Sequence, residues 1–180
     1  MLKTLIGIVL GAILTGAFKI GQDLHKRNER IKDFQIALRA EIRSELYRYK
    51  LLNLDSHLDT IITNINNSSK VTYTPFVPRE PNTLIFSKIA KDVYILPEDV
   101  IDPVVLYYKQ LSTISQFIDD LRSDRFSQLD ARRKIAMYTD YISMMKRCVE
   151  LAQDAHRALD ESLAEKPFNT PASAPSDLDR

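Results

Sequence analysis

Glycine is nearly absent from this chain of 180 residues. All four glycines lie among the first 21 residues, and none follows Gly21. Phosphate-binding loops and dinucleotide fingerprints depend on glycine, because their backbones need conformations or close approaches that a side chain prevents. The sequence therefore excludes both motifs beyond residue 21, and it favours long helices joined by few connections.

The chain also has little cysteine and a small net charge. The single cysteine, Cys148, excludes an internal disulfide, and a chain of this length can bury enough apolar surface to fold without one. The 25 basic residues are balanced by 24 acidic residues, which leaves a formal net charge of +1. Nucleic-acid-binding domains usually carry a clear basic excess, so we expect no nucleic-acid partner.

One long apolar run stands at the N terminus, where Lys3 and Lys19 bracket a stretch without charge. Lysine side chains can extend to the membrane interface, so this run predicts a transmembrane anchor within residues 1–21. A cleaved signal peptide and a buried core helix are the alternatives. The predicted span comprises Thr4, Leu5, Ile6, Gly7, Ile8, Val9, Leu10, Gly11, Ala12, Ile13, Leu14, Thr15, Gly16, Ala17 and Phe18.

Small residues recur every fourth position within this run, at Gly7, Gly11 and Thr15. Helices in lipid associate through such faces, because small residues let two backbones approach closely. The spacing therefore marks a candidate helix-pairing face and makes a homodimer one of the expected partners, although glycine is also common in unpaired membrane helices.

Basic residues are denser after the apolar run than before it. The positive-inside rule then places the C-terminal side in the cytoplasm, which predicts a single-pass membrane protein whose C-terminal domain is cytoplasmic. The same residues are candidate contacts for anionic lipid headgroups, although ordinary topology signals have a similar composition. These residues are Lys19, Lys26, Arg27, Arg30 and Lys32.

Apolar residues recur every three or four positions through most of the remaining chain, which is typical of amphipathic helices. We predict a stalk helix from Asp23 to Asn66, continuous with the anchor and hinged at Gly21. A short helix capped by Asn82 or Thr83, a main helix from Asp102 and a last helix over Ser127–Glu165 follow. We predict a turn at Pro97–Ile101, and the short connection at Ser123–Phe126 predicts that the last two helices form an antiparallel hairpin. The predicted buried stripe of the main helix is Val104, Tyr108, Leu111, Ile114, Ile118 and Leu121. That of the last helix is Ile135, Tyr138, Ile142, Met145, Cys148, Ala152, Ala155, Leu159 and Leu163.

These elements predict an all-α fold. An N-terminal transmembrane helix continues into a long stalk helix, which packs into an elongated three- to four-helix bundle. The bundle domain covers residues 22–166 and includes a proline-containing connector at 67–82. Residues 167–180 have the small, proline-spaced composition of a disordered tail.

Prolines at every third position of the connector, Pro75, Pro78 and Pro81, form overlapping P-x-x-P patterns. Such a segment can be a ligand for an aromatic groove. We favour a stiff connector in which Tyr73 and Phe76 pack onto the helices.

Residues that could carry chemistry are few and isolated. His25, His57 and His156 lack the spacing of a zinc-binding helix or a di-iron bundle. Cys148 lies on an apolar stripe, as an inert buried thiol does. We therefore predict no catalytic residue, no cofactor and no metal site, and we do not expect an enzyme.

Three segments carry a family resemblance: Leu84–Ala90, Ile95–Pro97 and Val104–Tyr108. With the N-terminal span, this layout resembles small bacterial membrane-anchored helical proteins of unknown function. The resemblance implies a bacterial inner-membrane protein and no particular activity.

The function that fits these features is a membrane-tethered helical interaction or scaffold protein, facing the cytoplasm, with membrane lipids and a protein partner or second copy as its contacts. One alternative is a sensor that binds a small ligand between helices, lined by Tyr107, Tyr108, Tyr138 and Tyr141. Another is a reversed topology, in which an envelope-facing coiled coil acts as a lysis or envelope factor.

Overall fold

Helices account for all regular secondary structure in the residues described by the computed structural model, which are 2–67, 75–77 and 83–164. Side chains are described for residue 19 and from residue 21 onward within these ranges. The all-α prediction is confirmed. The helices are α1 (Leu2–Leu51), α2 (Leu54–Asn67), α3 (Leu84–Ile89), a 3₁₀ helix (Ala90–Ile95), α4 (Glu98–Leu121), α5 (Asp124–Ser127) and α6 (Ala131–Ala164).

The first helix runs without interruption past Gly21, which has no positive φ, and ends at Leu51. The prediction of one helix from Asp23 to Asn66 is wrong, because Leu52 and Asn53 separate α1 from α2. The side-chain Oδ1 of Asn53 accepts a hydrogen bond from the backbone N–H of Ser56 at 3.1 Å. This is the bond of a helix N-cap, and it starts α2 anew.

The main helix begins at Glu98, four residues before the predicted start at Asp102. The carbonyl of Pro97 accepts hydrogen bonds from the N–H groups of Val100 and Ile101, each at 3.0 Å. Acidic residues in the first turn complement the positive end of the helix dipole. Pro103 consequently lies inside α4, and the segment predicted as a turn is helical.

Helices α4 and α6 form the antiparallel hairpin that the short connection predicted, and α6 also packs against α1 and α2. The connection contains α5, where Ser123 Oγ accepts a hydrogen bond from the N–H of Phe126 at 3.2 Å. The last helix starts at Ala131 rather than Ser127, because Asp130 caps it through the N–H of Arg133 at 2.9 Å.

The core lies where these four long helices meet. Every residue of the predicted α4 stripe is buried, and so are seven of the nine residues predicted for α6. Ile135 and Leu163 are half-buried at the edge. Tyr107 and Tyr141, which flank the predicted stripes, are buried as well. Helical periodicity therefore located most of the core.

Residues 75–77 of the connector have no regular structure, and their burial differs from the prediction. Phe76 is 81% exposed, whereas Pro75 and Val77 are buried. Phe76 therefore does not pack onto the helices as predicted, although the residues on either side of it are buried. Tyr73, Pro78 and Pro81 lie outside the described residues.

Over the part of the chain whose side chains are described, no helix is both long enough and apolar enough to cross a membrane. The side chains of the predicted span, 4–18, lie outside that part, although the backbone of α1 is helical there. The candidate pairing face of Gly7, Gly11 and Thr15 likewise lies outside it, as does the tail from residue 165.

Candidate functional site

A cleft of about 500 Å³ brings together three of the five basic residues predicted as headgroup contacts. Lys26, Arg27 and Arg30 line it from α1, and Tyr94 and Ile95 line it from the 3₁₀ helix. We call these five residues the basic cleft. Lys19 and Lys32 are exposed on the same helix but do not line the cleft.

An ion pair holds the 3₁₀ helix against α1. The guanidinium of Arg30 lies 2.8 Å from a carboxylate oxygen of Asp92, and it also lies over the ring of Phe34, 5.3 Å from the centroid. Both charged groups are partly exposed, so the pair contributes little stability by itself. Its effect is to position Tyr94, which is 72% exposed, beside the basic residues.

A half-buried carboxylate anchors the same segment from further along α1. One oxygen of Glu41 accepts a hydrogen bond from the N–H of Ile85 at 2.6 Å, and the other accepts one from the hydroxyl of Tyr108 at 2.8 Å. The ring of Phe86 stacks on that of Tyr108 with centroids 3.8 Å apart. These contacts fix α3 on α1 and α4, and α3 leads directly into the 3₁₀ helix.

The charge of the cleft is only partly compensated. Asp92 pairs with Arg30, but no acidic side chain among the described residues pairs with Lys26 or Arg27. Two cations without an acidic partner, beside an exposed tyrosine, can bind a phosphate group. Lys26 follows Phe18 by eight residues, or about 12 Å along the helix.

A second concave surface, of about 810 Å³, lies between α1 and α6. Its α1 side presents a row of exposed residues, and its α6 side presents Gln153 and His156. We call this surface the α1–α6 groove. The exposed row consists of Ile36, Ala40, Arg43, Tyr47 and Lys50, and the exposed Ser44 lies beside it.

The four tyrosines considered for a ligand site are buried in the core. Tyr107 and Tyr108 pack edge to face with centroids 4.8 Å apart, and Tyr138 and Tyr141 do the same at 5.6 Å. Aromatic pairs in this geometry stabilise a core beyond the area they bury. The tyrosines therefore pack the bundle together.

The histidines have separate partners. His25 lies 3.3 Å from Glu29, His57 lies 3.3 Å from the Tyr138 hydroxyl, and His156 lies 3.0 Å from Asp160. Within the described ranges, no group of three or more His, Cys, Asp or Glu residues could hold a metal ion. Cys148 is fully buried, and its sulfur lies 3.9 Å from the hydroxyl of Tyr49.

Comparison with known proteins found no match to the chain among family models, curated proteins or solved structures. Sequence reasoning found the cations of the basic cleft but missed Tyr94 and Ile95, which lie more than sixty residues away along the chain. The α1–α6 groove was missed entirely, although the spacing of its exposed apolar residues was a usable signal.

Proposed function

We propose that this chain is a membrane-tethered interaction or scaffold protein that holds a helical bundle at the cytoplasmic face of a bacterial inner membrane. The observation that carries the proposal is the continuity of α1. One uninterrupted helix joins the lysine-bracketed apolar run at 4–18 to the core residues Leu38, Ile42 and Tyr49. A helix of this kind couples the orientation of the bundle to that of the anchor, as a flexible linker would not.

The basic cleft supports a membrane-facing position. Its cations lie in the turns of α1 that follow the apolar run, and the long side chains of Lys26 and Arg27 extend toward the headgroup region in a tethered chain. Each basic residue near an anionic leaflet contributes about 1 kcal/mol. We therefore assign to the cleft the binding of anionic phospholipid headgroups. This binding would limit how far the bundle tilts from the membrane.

The cytoplasmic orientation rests on the excess of basic residues after the apolar run. The reversed orientation is the alternative, and it would place the same bundle in the envelope.

Membrane fractionation tests the tether. The full chain should stay in the membrane pellet after alkaline carbonate extraction, whereas the variant Ile8→Glu/Leu10→Glu, which places two charges in the apolar run, should be released. A matched pair of charges on an exposed face, Ser112→Glu/Ser115→Glu, should leave the chain in the pellet. Release of the unsubstituted chain would overturn the proposal.

Fusions at the C terminus test the orientation. A fluorescent-protein fusion should be fluorescent and an alkaline phosphatase fusion inactive, because the first matures in the cytoplasm and the second needs the oxidising envelope. A dark fluorescent protein together with an active phosphatase would establish the reversed topology instead.

A further inference from the structure

The exposed row of α1 in the α1–α6 groove has the spacing of a coiled-coil seam. Ile36, Ala40, Arg43, Tyr47 and Lys50 follow one another at intervals of four, three, four and three residues. This interval places all five on one stripe that a second helix can follow. The stripe differs from the one formed by Leu38, Ile42 and Tyr49, which faces the core.

The stripe carries exposed apolar surface. Tyr47 is 67% exposed and Ile36 is 39% exposed, and both belong to the continuous helix α1. From residue 36 to residue 50 the stripe extends about 21 Å, which is close to four helical turns. Its length and spacing suit one amphipathic helix lying along α1.

The groove carries positive charge that the described part of the chain neutralises only in part. No acidic side chain in the described part of the chain pairs with Arg43 or Lys50, and Arg39 shares Asp160 with His156. The two glutamates of this stretch of α1 are engaged elsewhere. Glu41 binds Tyr108 and Ile85, and Glu45 pairs with Arg48 at 2.8 Å. The helix that occupies the groove must therefore bring its own carboxylates.

Self-pairing along this stripe is disfavoured by the same charges. Two copies anchored in one membrane run parallel, so a symmetric seam sets Arg43 against Arg43 and Lys50 against Lys50. Like charges that face each other repel, and this repulsion disfavours pairing with a second copy relative to an acidic partner. A helix with Asp or Glu at the facing positions turns this repulsion into attraction.

We infer that the α1–α6 groove binds an amphipathic helix of a different protein, about four turns long, with an apolar stripe flanked by carboxylates. Apolar residues of that helix cover Ile36, Ala40 and Tyr47, and its acidic residues contact Arg43 and Lys50. The inference names the class of partner for the proposed interaction function and rests on that function. Only the argument against a second copy uses the anchor, because the anchor sets two copies parallel.

Photo-crosslinking in the host cell tests this inference on the full chain. Tyr47→p-benzoylphenylalanine places a reactive group in the groove, and Phe76→p-benzoylphenylalanine provides a control outside it that is at least as exposed. Mass spectrometry of the purified adduct should locate the Tyr47 cross-link in an acidic, amphipathic helical segment of another protein. The control position should not give this adduct.

Charge reversal adds a second readout. Arg43→Glu/Lys50→Glu should lower the yield of the adduct about tenfold, because two exposed ion pairs become repulsive. The matched reversal Lys109→Glu/Arg132→Glu, at exposed cations on α4 and α6, should leave the yield unchanged.

Four outcomes would overturn the inference: a cross-link to a second copy of this chain, a cross-link to lipid, a cross-link to a basic or apolar segment, or no adduct. If the unsubstituted chain were released from the membrane in the carbonate experiment, the proposed tether would be wrong, but the Tyr47 adduct would still form. The two failures are therefore distinguishable.

Discussion

The hydroxyl of Tyr108 on α4 donates a hydrogen bond to the Glu41 carboxylate on α1 at 2.8 Å. The second oxygen of the same carboxylate accepts the backbone N–H of Ile85 at 2.6 Å. One acidic side chain thus joins three helices, and it holds the segment that forms one wall of the basic cleft. Because this carboxylate connects the core to the cleft, several predictions can be tested by measuring the stability of the full chain in mild detergent.

Replacing the carboxylate should weaken this junction. Glu41→Gln removes the charge and leaves one oxygen to accept two hydrogen bonds, so we expect the free energy of unfolding to fall by about 1–3 kcal/mol. Tyr108→Phe should cost about 1–2 kcal/mol, and the double variant should cost less than the sum, because both changes remove the same bond. Urea denaturation followed by circular dichroism measures all three.

Tyr94→Phe is the matched control, because it removes a hydroxyl from an exposed tyrosine. Its free energy of unfolding should change by less than about 0.5 kcal/mol. Additive effects of Glu41→Gln and Tyr108→Phe would show that the two side chains act independently.

Stability should also fall in alkaline solution because of Tyr108. Burial, reinforced by the hydrogen bond to Glu41 and its negative charge, raises the pKa of Tyr108 well above its usual value of about 10. The folded state keeps the phenol proton at a pH where the unfolded chain loses it. The contribution of Tyr108 to the free energy of unfolding is therefore fully present below about pH 10 and declines above it, by up to about 1.4 kcal/mol per pH unit. Tyr108→Phe should flatten this decline, and identical slopes above pH 10 in the two proteins would refute the assignment.

The start of α2 depends on its N-cap. Asn53→Ala removes the acceptor for the Ser56 N–H and should lower the free energy of unfolding by about 1 kcal/mol. Asn53→Asp retains an acceptor in the same place and should be close to neutral. If Ala and Asp at this position were equally destabilising, the cap would not be the reason that α2 begins here.

The basic cleft should retain anionic phospholipid. In native mass spectra of the full chain purified with bacterial lipid, Lys26→Gln/Arg27→Gln should lower the amount of bound phosphatidylglycerol at least tenfold, since each cation contributes about 1 kcal/mol. Lys109→Gln/Arg132→Gln removes the same charge from exposed sites elsewhere and should have no effect. An equal loss in both variants would mean that net charge, rather than the cleft, retains the lipid.

Much of the bundle could be predicted from local periodicity. The stripes of α4 and α6 repeat every three or four residues, and a helix with such a stripe buries it almost regardless of its neighbours. The helix boundaries were less predictable. Asn53 is a common cap residue inside a run of apolar periodicity, and Asp102–Pro103 resembles a helix start although burial of Val100 and Val104 carries α4 through it.

The burial of Lys134 and the position of Tyr94 could not be predicted from the local sequence pattern. Lys134 is only 2% exposed because its ammonium group donates a hydrogen bond to the carbonyl of Ser127 at 2.8 Å, in the connection before α6. Tyr94 joins the basic cleft because Asp92 pairs with Arg30, 62 residues earlier in the chain. Both placements depend on tertiary contacts, for which the sequence around each residue has no periodic signal.

The measurement that tests the central claim most directly is the accessibility of an engineered cysteine. The native Cys148 is fully buried and is the only cysteine in the chain, so Ser112→Cys, at an exposed position on α4, gives a single reactive thiol. In spheroplasts, a membrane-impermeant maleimide should label this thiol only after the membrane is permeabilised, and the labelled chain should be in the membrane fraction. Labelling of intact spheroplasts, or recovery of the chain outside the membrane fraction, would contradict a bundle tethered at the cytoplasmic face.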